Sequence, residues 1–419
     1  MAPPGRPPRE HLRLVAQHAQ RYARSLDFDD LFNEGMLALL RAADKYDPAV
    51  AHTSEREDLG SRPAKEVFVS GLAQARKPLL RCPPPSHQRV RFYRGGGHHR
   101  AALGNKGESL KHLDRLACPD CGAALASNAD AVTCPSGHRF RVTNGIPRFI
   151  AGGGADQTEA IRRSFTSEWD HYDYDTDRIW GQSLAERREI ALRELDCRPE
   201  DLAGKLVLDA GCGAGMVSYQ FSKMGAEVVA ADISDSVDAA RAQLTALGVN
   251  RQVEFIQADL ARPPLKPAQF DVVFSSGVLH HNPSTRAALD AIAPLVAPGG
   301  QIYVWLYGST PGLAHKVRAI MRRIIVPLPP KVQRGIFSVW TLQSIGRQRL
   351  RRLTGRGRRD DGVTYREKML ILLDHYTPRY RWEHTPEQLS GWYRELGFTD
   401  VKTTERTHVG FGVLARRPS

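Results

Sequence analysis

No stretch of this 419-residue chain approaches the apolar length of a membrane-spanning helix. The opening ten residues are rich in Pro and Arg, with no hydrophobic run behind them, and do not read as a secretory signal. Cytoplasmic residence is the expectation, with a peripheral position at a membrane left open. Cysteine is scarce, at six residues, but it is not scattered. Cys118, Cys121 and Cys134 lie close together, whereas Cys82, Cys197 and Cys212 stand apart. Without a leader, such clustering points to metal rather than disulfides. Acidic residues are missing altogether from Gly312 to Arg359, a span with thirteen Lys and Arg. That span alone matches the formal net charge of the whole chain, +13. Such an excess favours polyanions, either RNA or an anionic membrane surface. No internal repeat is evident.

Hydrophobic periodicity divides the chain. Leu12, Val15, Ala16 and Ala19, then Leu31, Met36, Leu37, Leu39 and Leu40, predict helices within residues 1–50, with Asp27 and Asp29 as caps. Residues 51–111 contain RCPPPSHQ and RGGGHHR and read as a disordered basic linker. His98 and His99 read there as a solvated pair. Residues 112–152 form a compact unit built around the clustered cysteines. From 153 to 308 the runs KLVLDAG, AEVVAADI, VEFIQADL, FDVVFSSG and GQIYVWLYG alternate with helical stretches. This is the pattern of a parallel sheet with crossover helices, an α/β fold. Residues 309–384 read as a basic helical insertion capping the site, and 385–419 as a closing helix and strands. Thr385-Pro386-Glu387 marks the helix start, and Trp392, Tyr393 and Leu396 are core candidates.

Cys118-x2-Cys121, twelve residues, then Cys134-x3-His138 supplies four ligands of the type that zinc takes in a tetrahedron. Pro119 and Gly122 suit one ligand turn, and Pro135 and Gly137 the other. With all four ligands from protein, the zinc is structural, and it would supply much of the folding energy of so small a unit. The alternative is a degenerate set of reduced thiols.

In KLVLDAGCGAGMVS, Asp209 closes a buried strand, and Gly211, Cys212, Gly213, Ala214 and Gly215 turn into a helix. A glycine-rich turn alone is a weak signal, since dinucleotide enzymes use a similar one. Three acids at three successive strand ends sharpen it. Asp209 beside the turn suits a ligand that carries an ammonium and a sulfonium but no pyrophosphate, namely S-adenosylmethionine (SAM). Asp232 ends the second strand, where a carboxylate accepts from both ribose hydroxyls. Asp259 ends the third, placed for the adenine amino group.

These features resemble the class I SAM-dependent methyltransferases, of the methyltransferase type 11 kind, over residues 155–419. FDVVFSSGVLHH is similar to the family's fourth strand and following loop, and APLVAPGGQIYVWLY to the turn into its fifth. The resemblance implies a Rossmann-like seven-stranded sheet. It also implies that Gly211, Cys212, Gly213 and Gly215 line the methionine part of SAM, with Asp209 at its amino end. Asp232 and Ile233 would meet the ribose, Asp259 and Leu260 the adenine, and Ser276 and Gly277 the far side of the cofactor. The cysteine unit, ending in Gly145-Ile146-Pro147, resembles two zinc ribbons: one precedes ribosomal-RNA guanine methyltransferase domains, and the other belongs to a small family that activates tRNA and protein methyltransferases. HLRLVAQHAQRYARSLDFDDLFNEGMLALLRAADKYDP, residues 9–48, resembles the start of sigma factor region 2, which implies an RNA polymerase contact. The aromatic helix that opens promoter DNA does not follow it here.

Methyl transfer from a sulfonium is an in-line displacement, in which the protein positions the nucleophile and removes its proton. The loop after the fourth strand has no Asn-Pro-Pro-Tyr signature. It reads Val278-Leu279-His280-His281-Asn282, similar to methyltransferases that modify quinones and sterols. His280 and His281 are the candidate bases, with local packing as the other reading for His280. His375, Tyr380 and His384 are candidates for substrate contact. The expectation is methylation of a small-molecule or lipid-like acceptor. Two alternatives stand beside it: an RNA methyltransferase using the ribbon, and a polymerase-associated regulator acting through residues 9–48. Residues 312–359 would face RNA or an anionic membrane.

Overall fold

The computed structural model describes residues 110–128, 130–150, 156–169, 182–249, 251–309, 313–353, 364–407 and 409–419. The helical reading of 1–50 and nearly all of the 51–111 linker lie outside them. The described chain begins with a four-stranded antiparallel sheet in sequential order: β1 (Ala126–Ser127), β2 (Ala131–Thr133), β3 (Arg139–Thr143) and β4 (Ile146–Pro147).

The main sheet has seven strands: β5 (Leu206–Ala210), β6 (Glu227–Asp232), β7 (Val253–Gln257), β8 (Phe270–Ser276), β9 (Val296–Tyr307), β10 (Thr399–Arg406) and β11 (Gly410–Arg416). Their spatial order is β10-β11-β9-β8-β5-β6-β7. The five strands from β9 to β7 are parallel, and β11 is antiparallel to both β9 and β10. All five residues of β5 are buried. A central parallel strand is covered on both faces, which is why its sequence is a continuous apolar run interrupted by a single acid. The chain passes from β5 to β6 on one side and reaches β8 on the other. The strand order therefore reverses at β5, where open α/β sheets bind ligands beyond the carboxyl ends of their strands.

The helices are α1 (Asp156–Trp169), α2 (Leu184–Leu195), α3 (Met216–Lys223), α4 (Ser236–Ala246), α5 (Thr285–Ile292), α6 (Leu313–Ile325), α7 (Pro330–Leu353), α8 (Tyr365–Tyr376) and α9 (Pro386–Glu395). Local sequence sets their ends. Ser183 and Glu186 form a reciprocal capping box at the start of α2. At α9, Thr385 Oγ1 accepts from Gln388 N at 3.2 Å and Pro386 takes the first helical position. Tyr393 is fully buried, as its spacing predicts. Helices α6 to α8 occupy the region between β9 and α9 and share a small core of Ile325, Phe337, Met369 and Leu373.

The small sheet is built onto the large one. Arg148, just after β4, pairs in parallel with Gln257 of β7, and Phe149 N donates to Gln257 O at 2.8 Å. The exposed edge of the main sheet is thereby covered. Leu116, Val132, Phe140 and Phe149 fall in one apolar core with Ala210, Ala258 and Leu260.

Candidate functional site

A cavity of about 370 Å³ opens at the carboxyl ends of the parallel strands. Strand register brings the three acids there together. Asp209 lies opposite Ala230 of β6 and Phe274 of β8, and Asp232 opposite Gln257. Asp209, Gly211, Cys212, Asp232, Ile233, Asp259, Leu260, Ser276 and Gly277 all line the cavity. Gly213 and Gly215 do not; they shape the turn behind it. Gly213 N donates to Asp232 Oδ2 at 2.8 Å, and Gly215, at φ 78°, leads into α3. Gly211, at φ 90°, has no room for a side chain, because a Cβ there would run into Val278.

Asp232 is pinned. Its Oδ1 accepts from Ser234 N at 2.8 Å and Ser234 Oγ at 2.6 Å, while Oδ2 takes the Gly213 N–H. A carboxylate oxygen has two lone pairs, so Oδ2 keeps an accepting direction. Gln257 fixes the same loop from the ribbon side. Its Nε2 donates to Ile233 O at 3.1 Å and Asp235 Oδ1 at 2.8 Å, and its Oε1 accepts from Arg148 at 3.1 Å. Asp259 Oδ1 is held by Ala261 N at 2.9 Å.

Burial pushes the Asp209 carboxyl up to about 6, against the hydrogen bond from Ser218 Oγ at 2.6 Å. Burial raises Asp232 as well. Two buried acids held side by side favour a cationic ligand. They also burden the ligand-free protein. Because the folded value of Asp209 lies above its unfolded value, the folded chain holds the extra proton. Stability therefore falls as pH rises from about 4 to about 6. The cost above that window is on the order of 3 kcal/mol. Asp209→Asn is accordingly expected to raise the melting temperature of the ligand-free protein at pH 8 and to leave it unchanged near pH 4. Equal shifts at both pH values would contradict the assignment.

His281, Asp374, His375 and Tyr307 line the same cavity. His281 Nδ1 lies 2.9 Å from the backbone oxygen of Tyr380. A carbonyl only accepts, so Nδ1 is the donor in this contact, which leaves Nε2 toward Asp374. That Nε2 is buried and has no aligned hydrogen bond among the described residues. Asp374 Oδ1 stands 3.4 Å away, near enough for charge to act, and Asp374 Oδ2 accepts from the Tyr307 hydroxyl. Burial would raise Asp374, but His281, His375 and the Tyr307 hydroxyl together hold it below the usual carboxylate range. Aromatic side chains of Phe165, Trp169, Trp305 and Tyr307 form much of the wall.

Several candidates from the sequence lie elsewhere. His280 is fully buried off the cavity wall, its ring 4.2 Å from that of His281 and 4.5 Å from that of Tyr307. Burial lowers its proton affinity far below that of a free histidine, and its ring packs against its neighbours. His384 bridges Gln388 at 2.8 Å and Thr285 at 2.9 Å, away from the cavity. Tyr380 contributes its backbone oxygen, not its side chain. Conversely, Arg187, Glu194, Tyr307 and Asp374 line the cavity without having been singled out as site residues. Arg187, paired with Glu194, brings a cation beside Asp209. No local motif marks it, and Tyr307 and Asp374 are sixty-seven residues apart in sequence.

The four zinc candidates do converge. Their ligand atoms all lie within 4.8 Å of one another. Cys118 Sγ to His138 Nδ1 is 3.4 Å, Cys134 Sγ to His138 Nδ1 is 3.3 Å, and Cys121 Sγ to Cys134 Sγ is 3.6 Å. A zinc tetrahedron with ordinary bond lengths has edges of roughly 3.6–3.8 Å, so the set fits the ion.

Comparison with known proteins agrees with the central architecture. Residues 208–304 match the family model of the methyltransferase domain, and residues 9–53 match that of sigma-70 region 2. The ubiquinone biosynthesis O-methyltransferase of Azoarcus sp. (strain BH72) is 38% identical over 103 residues, 24% of this chain and 44% of that protein. The protein of the same name from Paraburkholderia phytofirmans is 37% identical over 143 residues, 34% of this chain and 58% of the relative. The chain thus spans about half the length of the curated relatives it matches. Among solved structures, magnesium protoporphyrin IX methyltransferase from Synechocystis PCC 6803 with bound SAH aligns with 62% of this chain and all of that one, at 19% identity and a TM-score of 0.38. Among the described residues no helix is long and apolar enough to cross a membrane. Residues 208–304, the parallel core of the seven-stranded sheet, thus match the methyltransferase domain family.

Proposed function

We propose that this chain transfers a methyl group from SAM to a hydroxyl of a small, largely apolar acceptor, with His281 as the general base. One observation carries this reading: His281 lines the cavity, with its Nδ1 donating to Tyr380 O at 2.9 Å and its Nε2 standing 3.4 Å from Asp374 Oδ1. SAM supplies the electrophilic methyl. The protein supplies the rest. Gly211 and Cys212 lie against the methionine portion, Asp209 and Arg187 meet its charged end, Asp232 Oδ2 accepts from the ribose, and Asp259 and Leu260 face the adenine. The acceptor hydroxyl donates to His281 Nε2, and Asp374 provides the counter-charge once the proton has moved. The aromatic wall suits a ring-bearing acceptor. Because the curated relatives are named for ubiquinone biosynthesis, phenolic quinone precursors are the first compounds to screen. The test is calorimetric titration with SAM and its demethylated product, followed by methyl transfer from labelled SAM to a phenol panel. A folded protein that binds neither cofactor form overturns the reading.

Cys118, Cys121, Cys134 and His138 hold a structural zinc in this proposal. All four positions of the tetrahedron are protein ligands, so the ion has no open site for catalysis. The ribbon spends its apolar face on the main sheet and reaches the loop of Asp232 through Phe149, Arg148 and Gln257. This supports a structural role over an RNA-binding one. Cys134→Ala is expected to lower zinc from one ion per chain to a small fraction. It should also lower the melting temperature by roughly 5 °C or more, at about 2–4 °C per kcal/mol. Elemental analysis and a thermal melt measure both. Fully metal-free native protein would favour the degenerate-ribbon alternative.

A further inference from the structure

The insertion between β9 and α9 carries an unusual surface. On α7, Val332, Gly335, Val339, Leu342 and Gly346 follow one another in steps of three and four residues, and all five are exposed. On a helix this spacing makes a single stripe. The opposite side, Gln333, Phe337 and Thr341, is buried against the neighbouring helices. Val332 is 47% exposed, Val339 52% and Leu342 61%, and Ile324 of α6 is 57% exposed. No described residue covers the stripe. Exposed Lys331 and Arg323 flank these side chains, and the surrounding sequence from 312 to 359 has thirteen basic residues and no acid.

We infer that the outer face of α6 and α7 docks on an anionic lipid bilayer, with the apolar stripe entering the headgroup boundary and the basic residues meeting lipid phosphates. Charge selects among the occupants. A second copy would bring two acid-free basic faces together, which repel. A nucleic acid would satisfy the charge but would gain nothing from Val339 and Leu342, since its non-specific binding rests on phosphate contacts. An anionic bilayer rewards both features at once. The absence of a spanning helix among the described residues fits a helix that lies on the surface. Arg322 of α6 donates to His375 O at 2.8 Å, and α8 carries Asp374 and His375 of the cavity wall. Docking would therefore seat a lipid-like acceptor's own phase next to the helices that close the cavity.

The test is co-sedimentation of the full-length protein with phosphatidylcholine vesicles, with and without phosphatidylglycerol. The parent should bind the anionic vesicles and not the neutral ones. The double variant Val339→Glu, Leu342→Glu should lose at least about tenfold in partitioning. Both side chains are exposed, so its melting temperature and SAM affinity should match the parent. Those two controls separate this inference from the methyl-transfer reading, which does not depend on it. Absent binding to anionic vesicles would overturn the inference, as would equal binding by the double variant. So would a concentration-dependent dimer, or tight RNA binding, that the substitutions abolish while vesicle binding persists.

Discussion

Asp232→Ala should weaken SAM binding by about ten- to a hundredfold, since the charge-assisted hydrogen bond that Oδ2 can accept from the ribose would be lost at roughly 1.5–3 kcal/mol. The fold should survive. The substitution removes a buried carboxylate that burial already penalises, and what it orphans are the N–H groups of Gly213 and Ser234 on a loop beside the cavity. Calorimetry with SAM reads the affinity, and circular dichroism reads the fold. A second variant separates contact from clamp. Ser234→Ala removes one donor to Oδ1 and leaves Oδ2 in place, so its loss should be only a few-fold. Unchanged affinity in a folded Asp232→Ala protein would sink the ribose assignment. A loss of the same size in Ser234→Ala would reduce Asp232 to a brace for the glycine turn.

The second large effect belongs to His281. His281→Ala should reduce kcat on a responsive phenol by about 10²–10⁴-fold, the usual contribution of a positioned general base, with SAM affinity unchanged. Asp374→Asn should also lower kcat, because the counter-charge for the transferred proton is gone. It keeps an oxygen that can accept from the Tyr307 hydroxyl. His280→Phe is the control for its neighbour. That ring makes no hydrogen bond among the described residues and packs beside Tyr307, so the change should alter stability and leave kcat near the parent. Full activity in His281→Ala would move proton removal to another group. A collapse of kcat in His280→Phe, with the fold intact, would restore the other histidine as the base.

How much of this was legible in the sequence depends on how far apart the interacting residues lie. The five parallel strands were legible because a strand covered on both faces must be a continuous apolar run. The three acids were legible because each sits at the end of such a run. The cluster of Cys118, Cys121, Cys134 and His138 was legible because each pair of side chains shares one tight turn. Helix starts at Ser183 and Thr385 follow from side chains that satisfy backbone donors one turn away. All of these are local relations, in which spacing along the chain fixes spacing in space.

Other features were decided only when distant segments packed. Two adjacent histidines look equivalent in sequence, yet the short helix after β8 turns His281 to the cavity and buries His280 against Tyr307. The proton on His281 is placed by Tyr380 O, ninety-nine residues away. Arg187 reaches the cavity beside Asp209 with α2 packed on α3, and Asp374 reaches His281 from α8, where it also meets the Tyr307 hydroxyl at the end of β9. The ribbon reads as a separate module in sequence, but its exit strand completes the sheet edge at Gln257 and braces the loop of Asp232. The sequence by itself determined the fold class and the strand ends where a ligand can bind, because backbone hydrogen bonding and apolar burial follow local pattern. Tertiary structure alone decided which titratable groups face one another across the cavity, because that depends on contacts between residues with no fixed separation along the chain.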